Sequence, residues 1–373
     1  MTSILAAESQ LAPVEWRESA SIADSRLHQL APYIGKLKPV IARQLLREFT
    51  AHNEIVLDCF SGSGTVPLEA VILGRRVLAF DTNPYAVTIT RAKLQSPQTL
   101  VLANEQLLLR LAASEKRPRY AEESIPEWVR KFFHPETLQQ TLRFADECLE
   151  HDDPFLLACL LSILHHQRPG FLSYPSSHLV PYLRDRKFPR DEYPEMYAER
   201  ALQPRLEAKL LRAYKNSFMI EPDRVMKVDQ VGVADLKLEC EVDAIVTSPP
   251  YMNALDYVRD NRLRMWFIDR STADYSPEPT EKQADSDAIT AAFARNALKY
   301  LRSGGHCVLV IGEKVSRKRV TTHPAERMFA KLSTEYPALQ LKHVIEDEIP
   351  DVRRSRRSGA ATKRELILVL QKA

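Results

Sequence analysis

Glu54-Ile55-Val56-Leu57-Asp58-Cys59-Phe60-Ser61-Gly62-Ser63-Gly64-Thr65 decides the fold. A short apolar run of β type ends on an acid, and a glycine-rich turn follows it. Val66-Pro67-Leu68-Glu69-Ala70-Val71-Ile72-Leu73 then reads as a buried helix that Gly74 stops. A second apolar run, Arg76-Val77-Leu78-Ala79-Phe80, ends at Asp81. Strand, helix and strand in direct succession make a β-α-β unit, the building block of a parallel sheet.

Glycines where a strand meets a helix let a ligand approach the backbone closely. An acid at the end of the second strand, here Asp81, typically pairs with ribose hydroxyls. A phosphate-binding loop needs Gly-Lys-Ser/Thr, and Gly64 is followed by Thr65-Val66. A dinucleotide fingerprint needs a third small residue where Pro67 stands. S-adenosylmethionine carries no phosphate and asks for an acid and an open backbone, which suits Asp58, Gly62, Gly64 and Asp81. An ordinary turn with glycines for steric reasons is the alternative.

Working outward, Leu37–Leu46 has helical spacing with Pro39 near its start. Residues 1–27 read as a polar, poorly structured lead. From 100 to 225 strand signals fade, and patterns such as Pro154–Leu164 are helical. The α/β pattern resumes with the strand Val242–Thr247, a helix at about 285–302, a strand His306–Gly312 entered through Gly304-Gly305, and a last strand Glu365–Leu370. The expected architecture is α/β with a doubly wound, mostly parallel sheet. It spans 28–99 and 226–373, with 100–225 as an inserted helical subdomain.

The chain has 373 residues, 45% of them apolar, which is enough for a full core. No apolar run reaches membrane-spanning length, and Met1–Trp16 lacks the pattern of a secretory signal. The five cysteines form no CxxC pair, so neither a zinc site nor a disulfide framework is indicated. The expectation is a reduced, cytoplasmic protein without a metal. A net charge of +3 means that contact with a polyanion requires locally focused cations.

The strand at 242–247 runs into Ser248-Pro249-Pro250-Tyr251. Two prolines fix the backbone and remove its donors, so the turn is rigid. It falls at the carboxyl edge of the sheet, where α/β folds bind ligands. A hydroxyl and a carbonyl there suit an exocyclic amine, and the Tyr251 ring suits the face of a base. A plain strand-ending turn with a buried tyrosine is the bland alternative.

Asp58–Thr65 together with Thr247–Tyr251 resembles the DNA amino-methyltransferases, which methylate N4 of cytosine or N6 of adenine from S-adenosylmethionine. The order of the two motifs resembles the α type, with the target-recognition region between them. Ser-Pro-Pro-Tyr is the form commonest among N4-cytosine enzymes. Tyr33-Ile34-Gly35-Lys36-Leu37-Lys38-Pro39 looks like the family's further cofactor motif. The resemblance covers about 28–95 and 225–373. It implies Ser248, Pro249, Pro250 and Tyr251 as catalytic. It implies Tyr33, Asp58, Phe60, Gly62, Gly64, Thr65 and Asp81 as cofactor-binding. The family's Gly-Asp before the catalytic strand is absent, and Asp229 and Asp235 are both candidates for its acid. The chain has no Pro-Cys dipeptide, which argues against C5-methylation of cytosine.

The resemblance also implies double-stranded DNA as partner, a nucleoid setting, and a cognate restriction endonuclease as companion. A base must leave the duplex to react. Arg168, Ser173, Tyr174, His178, Arg184, Arg186 and Lys187 mix cations, hydroxyls and aromatics, and are candidates to read the target. Arg317, Lys318, Arg353 and Arg354 are candidate phosphate clamps. A solvated basic face is the alternative for each group. N6-adenine methylation is the nearest rival activity. RNA guanine methylation and an idle nucleic-acid-binding module follow. The short stretch before the first strand argues against an N-terminal RNA-binding domain.

Overall fold

The computed structural model describes residues 9–17, 24–166, 171–177, 181–216, 219–250, 257–271, 283–312, 323–349 and 363–373. In chain order the strands are β1 (Ser9–Leu11), β2 (Ile55–Asp58), β3 (Arg76–Asp81), β4 (Val225–Gln230), β5 (Val242–Thr247), β6 (Leu301–Gly312), β7 (Leu339–Ile349) and β8 (Lys363–Lys372). The helices are α1 (Pro39–Phe49), α2 (Thr65–Ile72), α3 (Pro84–Leu94), α4 (Leu100–Glu115), α5 (Glu127–Arg130), α6 (Pro135–Glu150), α7 (Pro154–Ser162), α8 (Leu202–Ala213), α9 (Tyr257–Ile268), α10 (Gln283–Asn296) and α11 (Pro324–Glu335).

The strands form one sheet in the order β1-β7-β8-β6-β5-β2-β3-β4. Its pairings are parallel except those of β8, which runs antiparallel to β6 and β7. From β2 the chain winds outward through β3 to β4, and from β5 outward the other way. The expected doubly wound, mostly parallel sheet is therefore present. Its switch point lies between β2 and β5, the place where such sheets bind ligands.

Side chains alternate across the strands. Val56, Val246, Val308 and Val310 pack with Ile41, Leu45 and Ala70 of α1 and α2. Leu57, Leu78, Ile245 and Leu309 face the other way, onto Phe293 of α10 and Phe329 of α11. Burial on both faces explains why β2, β3 and β5 read as nearly unbroken apolar runs.

The helices between β3 and β4 pack on α3. Tyr85, Ile89 and Ala92 of α3 share one hydrophobic cluster with Phe144, Phe155, Leu160 and Leu206. That cluster also takes in Leu68 of α2 and Val77 of β3, so the helical block and the sheet are welded through α3.

Two expectations are corrected. The polar lead contains ordered structure: β1 pairs with β7, and Trp16 is fully buried among α1 side chains. Strand pairing and one large buried aromatic together anchor the segment. Strand β6 begins at Leu301 rather than after Gly304-Gly305. Its pairing jumps from Val242↔Leu301 to Ala244↔His306, so the glycines sit in a bulge inside the strand. Gly304 has φ +73°, and a Cβ on Gly305 would lie 2.7 Å from the Asp243 carbonyl oxygen. Arg302, in the same bulge, reaches Asp243 at 2.7 Å and Glu54 at 2.9 Å.

Candidate active site

The glycine-rich turn is built by its own backbone and by two carboxylates. Ser61 N–H donates to the Phe80 carbonyl at 2.9 Å, and Gly64 N–H to the Ser61 carbonyl at 2.7 Å. Asp81 accepts from Gly62 N–H at 2.8 Å through one oxygen and from Asn83 N–H at 2.9 Å through the other. The ends of β2 and β3 are thereby locked together.

Gly62 and Gly64 take φ of +49° and +70°, where side chains are strained. At Gly64 a Cβ would also lie 2.7 Å from Thr90 Oγ1 on α3, so this glycine is required twice over. At Gly62 a Cβ would approach the Tyr33 ring to 3.4 Å, which places Tyr33 over the turn. Behind the turn, the Lys93 ammonium of α3 donates to the Ser63 carbonyl.

A cavity of about 500 Å³ opens above the turn. Tyr33, Asp58, Phe60, Gly62, Thr65 and Asp81 line it. So do Asp235, Ser248, Pro249 and Pro250. Residues from the two widely separated motifs thus meet in one space. Gly64 stands behind the lining and shapes it. Asp229, on β4, is not part of the wall. It accepts from Gln230 N–H at 2.8 Å and lies 3.4 Å from the Lys227 ammonium. Of the two acids left open by sequence, the cavity is reached by Asp235.

Asp58 ties the two motifs. Its carboxylate accepts from the Thr247 hydroxyl at 2.6 Å, at the last residue of β5, and from Phe60 N–H at 3.3 Å. Burial pushes the Asp58 carboxyl up to about 7, against the pull of these two hydrogen bonds. Burial raises Asp81 as well. At both acids burial disfavours the charged form.

Ser248 donates its hydroxyl proton to the Val310 carbonyl of β6 at 3.0 Å. It therefore meets a ligand in the cavity as an acceptor. Sequence reasoning did not single out Lys36, Thr247 or Lys93. Lys36 and Thr247 sit inside segments that were quoted, while nothing local marks Lys93, which acts from α3.

The proposed target-reading residues separate. Ser173 and Tyr174 are buried, which corrects their assignment to a nucleic-acid surface. The Arg200 guanidinium, itself buried, donates to the carbonyls of Phe171 and, at 2.7 Å each, of Ser173 and Met196. The loop is folded around this cation, and the Ser173 hydroxyl pairs with Ser176 at 3.0 Å. The Tyr174 ring carries the Arg190 guanidinium 4.9 Å from its centre. Arg186 and Lys187 are exposed and Arg184 is half-buried. Tyr251, Arg168, His178, Arg317, Lys318, Arg353 and Arg354 lie outside the described residues. Among the described residues no group of three His, Cys, Asp or Glu stands at metal-ligand spacing. No helix among them is long and apolar enough to cross a membrane.

The cavity fits S-adenosylmethionine. Asp81 closes a strand where ribose hydroxyls are met, and the open turn admits a close approach. Residues 28–92 match the model of a DNA methylase family, and this segment holds Tyr33, the glycine-rich turn and Asp81. A type II methyltransferase of Methanocaldococcus jannaschii is 30% identical over 69 residues, which are 18% of this chain and 13% of that protein. Among solved structures, TrmN from Thermus thermophilus aligns over 94% of this chain and 53% of its own, with 16% identity and a TM-score of 0.37. A glycopeptide N-methyltransferase, MtfA, complexed with S-adenosyl-L-homocysteine aligns over 92% of each chain, with 10% identity and a TM-score of 0.34. The part of the chain that builds the turn thus carries the pattern of a DNA methylase, and S-adenosylmethionine is the cofactor its groups fit.

Proposed function

We propose that this chain is a DNA amino-methyltransferase that transfers the methyl group of S-adenosylmethionine to N4 of a cytosine turned out of the duplex. One observation carries the reading. Ser248, Pro249 and Pro250 line the same cavity as Asp58 and Asp81, with the Ser248 proton held by Val310. A base entering this site meets acceptors, so it must bring donors. An exocyclic amine does so, and a keto oxygen does not.

When bound, the cofactor supplies an electrophilic methyl group on a sulfonium. The chain's own residues position the acceptor. The amine lone pair of a nucleobase is delocalised into the ring. Hydrogen bonds from its two N–H groups to Ser248 Oγ and the Pro249 carbonyl draw the nitrogen toward tetrahedral geometry. Alignment in line with the methyl group then supplies most of the acceleration. The nitrogen loses a proton to solvent after transfer. No protein nucleophile is required, and the buried thiol of Cys59, pushed far up by its surroundings, offers none. Serine rather than aspartate at 248 favours cytosine over adenine.

Product identification tests this. The protein is incubated with methyl-labelled S-adenosylmethionine and unmethylated DNA, with RNA in parallel, and the nucleosides are identified by mass spectrometry. Labelled N4-methylcytosine in DNA is expected. N6-methyladenine would overturn the base assignment, and label confined to RNA would overturn the substrate.

A further inference from the structure

Arg262 of α9 is half-buried, and its guanidinium lies over the Trp128 ring of α5, with its carbon 3.9 Å from the ring centre. Trp128 in turn meets Trp266, the next turn along α9, edge to face at 6.3 Å. The stack holds donors without acceptors. Arg262 Nε, Trp128 Nε1 and Trp266 Nε1 are buried with no hydrogen-bond partner among the described residues. The neighbouring arginines are engaged. Arg264 donates to the Leu161 carbonyl at 3.1 Å, and Arg270 pairs with Asp146 at 2.5 Å. Among the described residues the ion pairs of this stretch go to Arg259 and Arg270, and none reaches Arg262.

A buried donor left unpaired is costly, and an arriving acceptor removes that cost. A guanidinium held flat on an indole keeps its in-plane N–H groups for such an acceptor, and their fork matches the oxygens of a phosphate. The stack also stands close to the chemistry. Helix α9 begins at Tyr257, shortly after the Ser-Pro-Pro-Tyr turn. Met265, three residues on from Arg262 and about 4.5 Å along the helix axis, lines the cavity.

We propose that Arg262, held flat on Trp128, binds a phosphate of the DNA strand that carries the acceptor base. The inference rests on the amino-methyltransferase reading above. It adds a phosphate contact made by the helix that follows the catalytic turn, outside the helical block between β3 and β4. Arg262 takes no part in the methyl transfer itself; it holds the strand while the base occupies the cavity.

The test measures binding of short unmethylated DNA duplexes of mixed sequence, with S-adenosylhomocysteine present, over about 50 to 200 mM salt. The parent is compared with Arg262→Met, Arg262→Gln, Arg262→Lys and Arg270→Met. Methionine still covers the Trp128 ring and removes the charge, and glutamine carries the test if the methionine variant does not fold. Either should lower DNA affinity about tenfold at the low-salt end and reduce the salt slope by about one counterion, with affinity for S-adenosylhomocysteine within about twofold of the parent. Lysine should restore the slope. Arg270→Met, which removes a cation already paired with Asp146, should leave the slope as it is. An unchanged slope in Arg262→Met and Arg262→Gln would overturn the proposal, and so would the same fall in Arg270→Met or an equal loss of S-adenosylhomocysteine affinity. Each of these leaves the amino-methyltransferase reading standing. A parent that binds no DNA would overturn that reading and the proposal with it.

Discussion

The glycine-rich turn and the loop around Ser173 are both short, hydroxyl-rich segments, and they are held in contrary ways. In the turn, backbone N–H groups and two carboxylates are wired to one another at the rim of a cavity. Its polar groups stay on the side where a ligand arrives. In the loop, the carbonyls converge on the buried Arg200, and the serines pair with each other. Its polar groups serve the interior. A shared composition therefore says little about function. What separates the two is where the distant cation acts: Lys93 holds one carbonyl behind the turn, whereas Arg200 gathers the carbonyls of Phe171 and Ser173 in the loop itself.

Substitutions sharpen this contrast. Gly64→Val should have the largest effect. It combines a left-handed torsion with a clash against Thr90, and should cost about 3 kcal/mol or more by urea denaturation while abolishing S-adenosylhomocysteine binding. Arg200→Met should cost about 3 kcal/mol by leaving three carbonyls unpaired, yet change cofactor affinity less than about twofold. A large loss of affinity in Arg200→Met would erase the distinction between the two regions.

Asp58 gives a pH signature confined to the turn. Its carboxyl lies near 7 in the folded chain against 3.8 for the free group. Between those values the folded state holds a proton that the unfolded state has released. The contribution of this group to stability is thus retained below about pH 4 and falls as pH rises toward 7. Asp58→Asn should flatten that part of the stability profile. Thr247→Val, which removes the donor to Asp58, should cost about 1–2 kcal/mol. On the surface of the helical block, Arg186→Ala and Lys187→Ala should leave stability within about 0.5 kcal/mol. Each should reduce the salt dependence of DNA binding by about one counterion if it meets a phosphate.

The sheet was legible because β2, β3 and β5 are buried on both faces and end in residues with special backbone demands. Asp58, Gly62, Gly64, Asp81 and Ser248 stand out in the sequence for the same reason, a local backbone setting at a strand end, and four of them, Asp58, Gly62, Asp81 and Ser248, line one cavity. β7 was missed, because Leu339–Ile349 carries Lys342, Glu346, Asp347 and Glu348 and takes its register from distant partners, β8 and β1. Lys93 and Arg200 were missed because each works on backbone carbonyls far away in sequence, and no local pattern announces such a contact. The error at Ser173 and Tyr174 has that origin. Choosing between Asp229 and Asp235 needed the turn after β4, which sequence alone does not orient.

The central claim is that the turn after β5 acts on the acceptor while the turn after β2 holds the donor, in one cavity. Single-turnover methyl transfer by Ser248→Ala, measured beside its affinity for S-adenosylhomocysteine, tests it most directly. The account predicts an affinity within about twofold of the parent and a transfer rate lower by about 100-fold, the scale of losing one oriented hydrogen-bonding group. An unchanged rate, or a loss of affinity that matches the loss of rate, would contradict it.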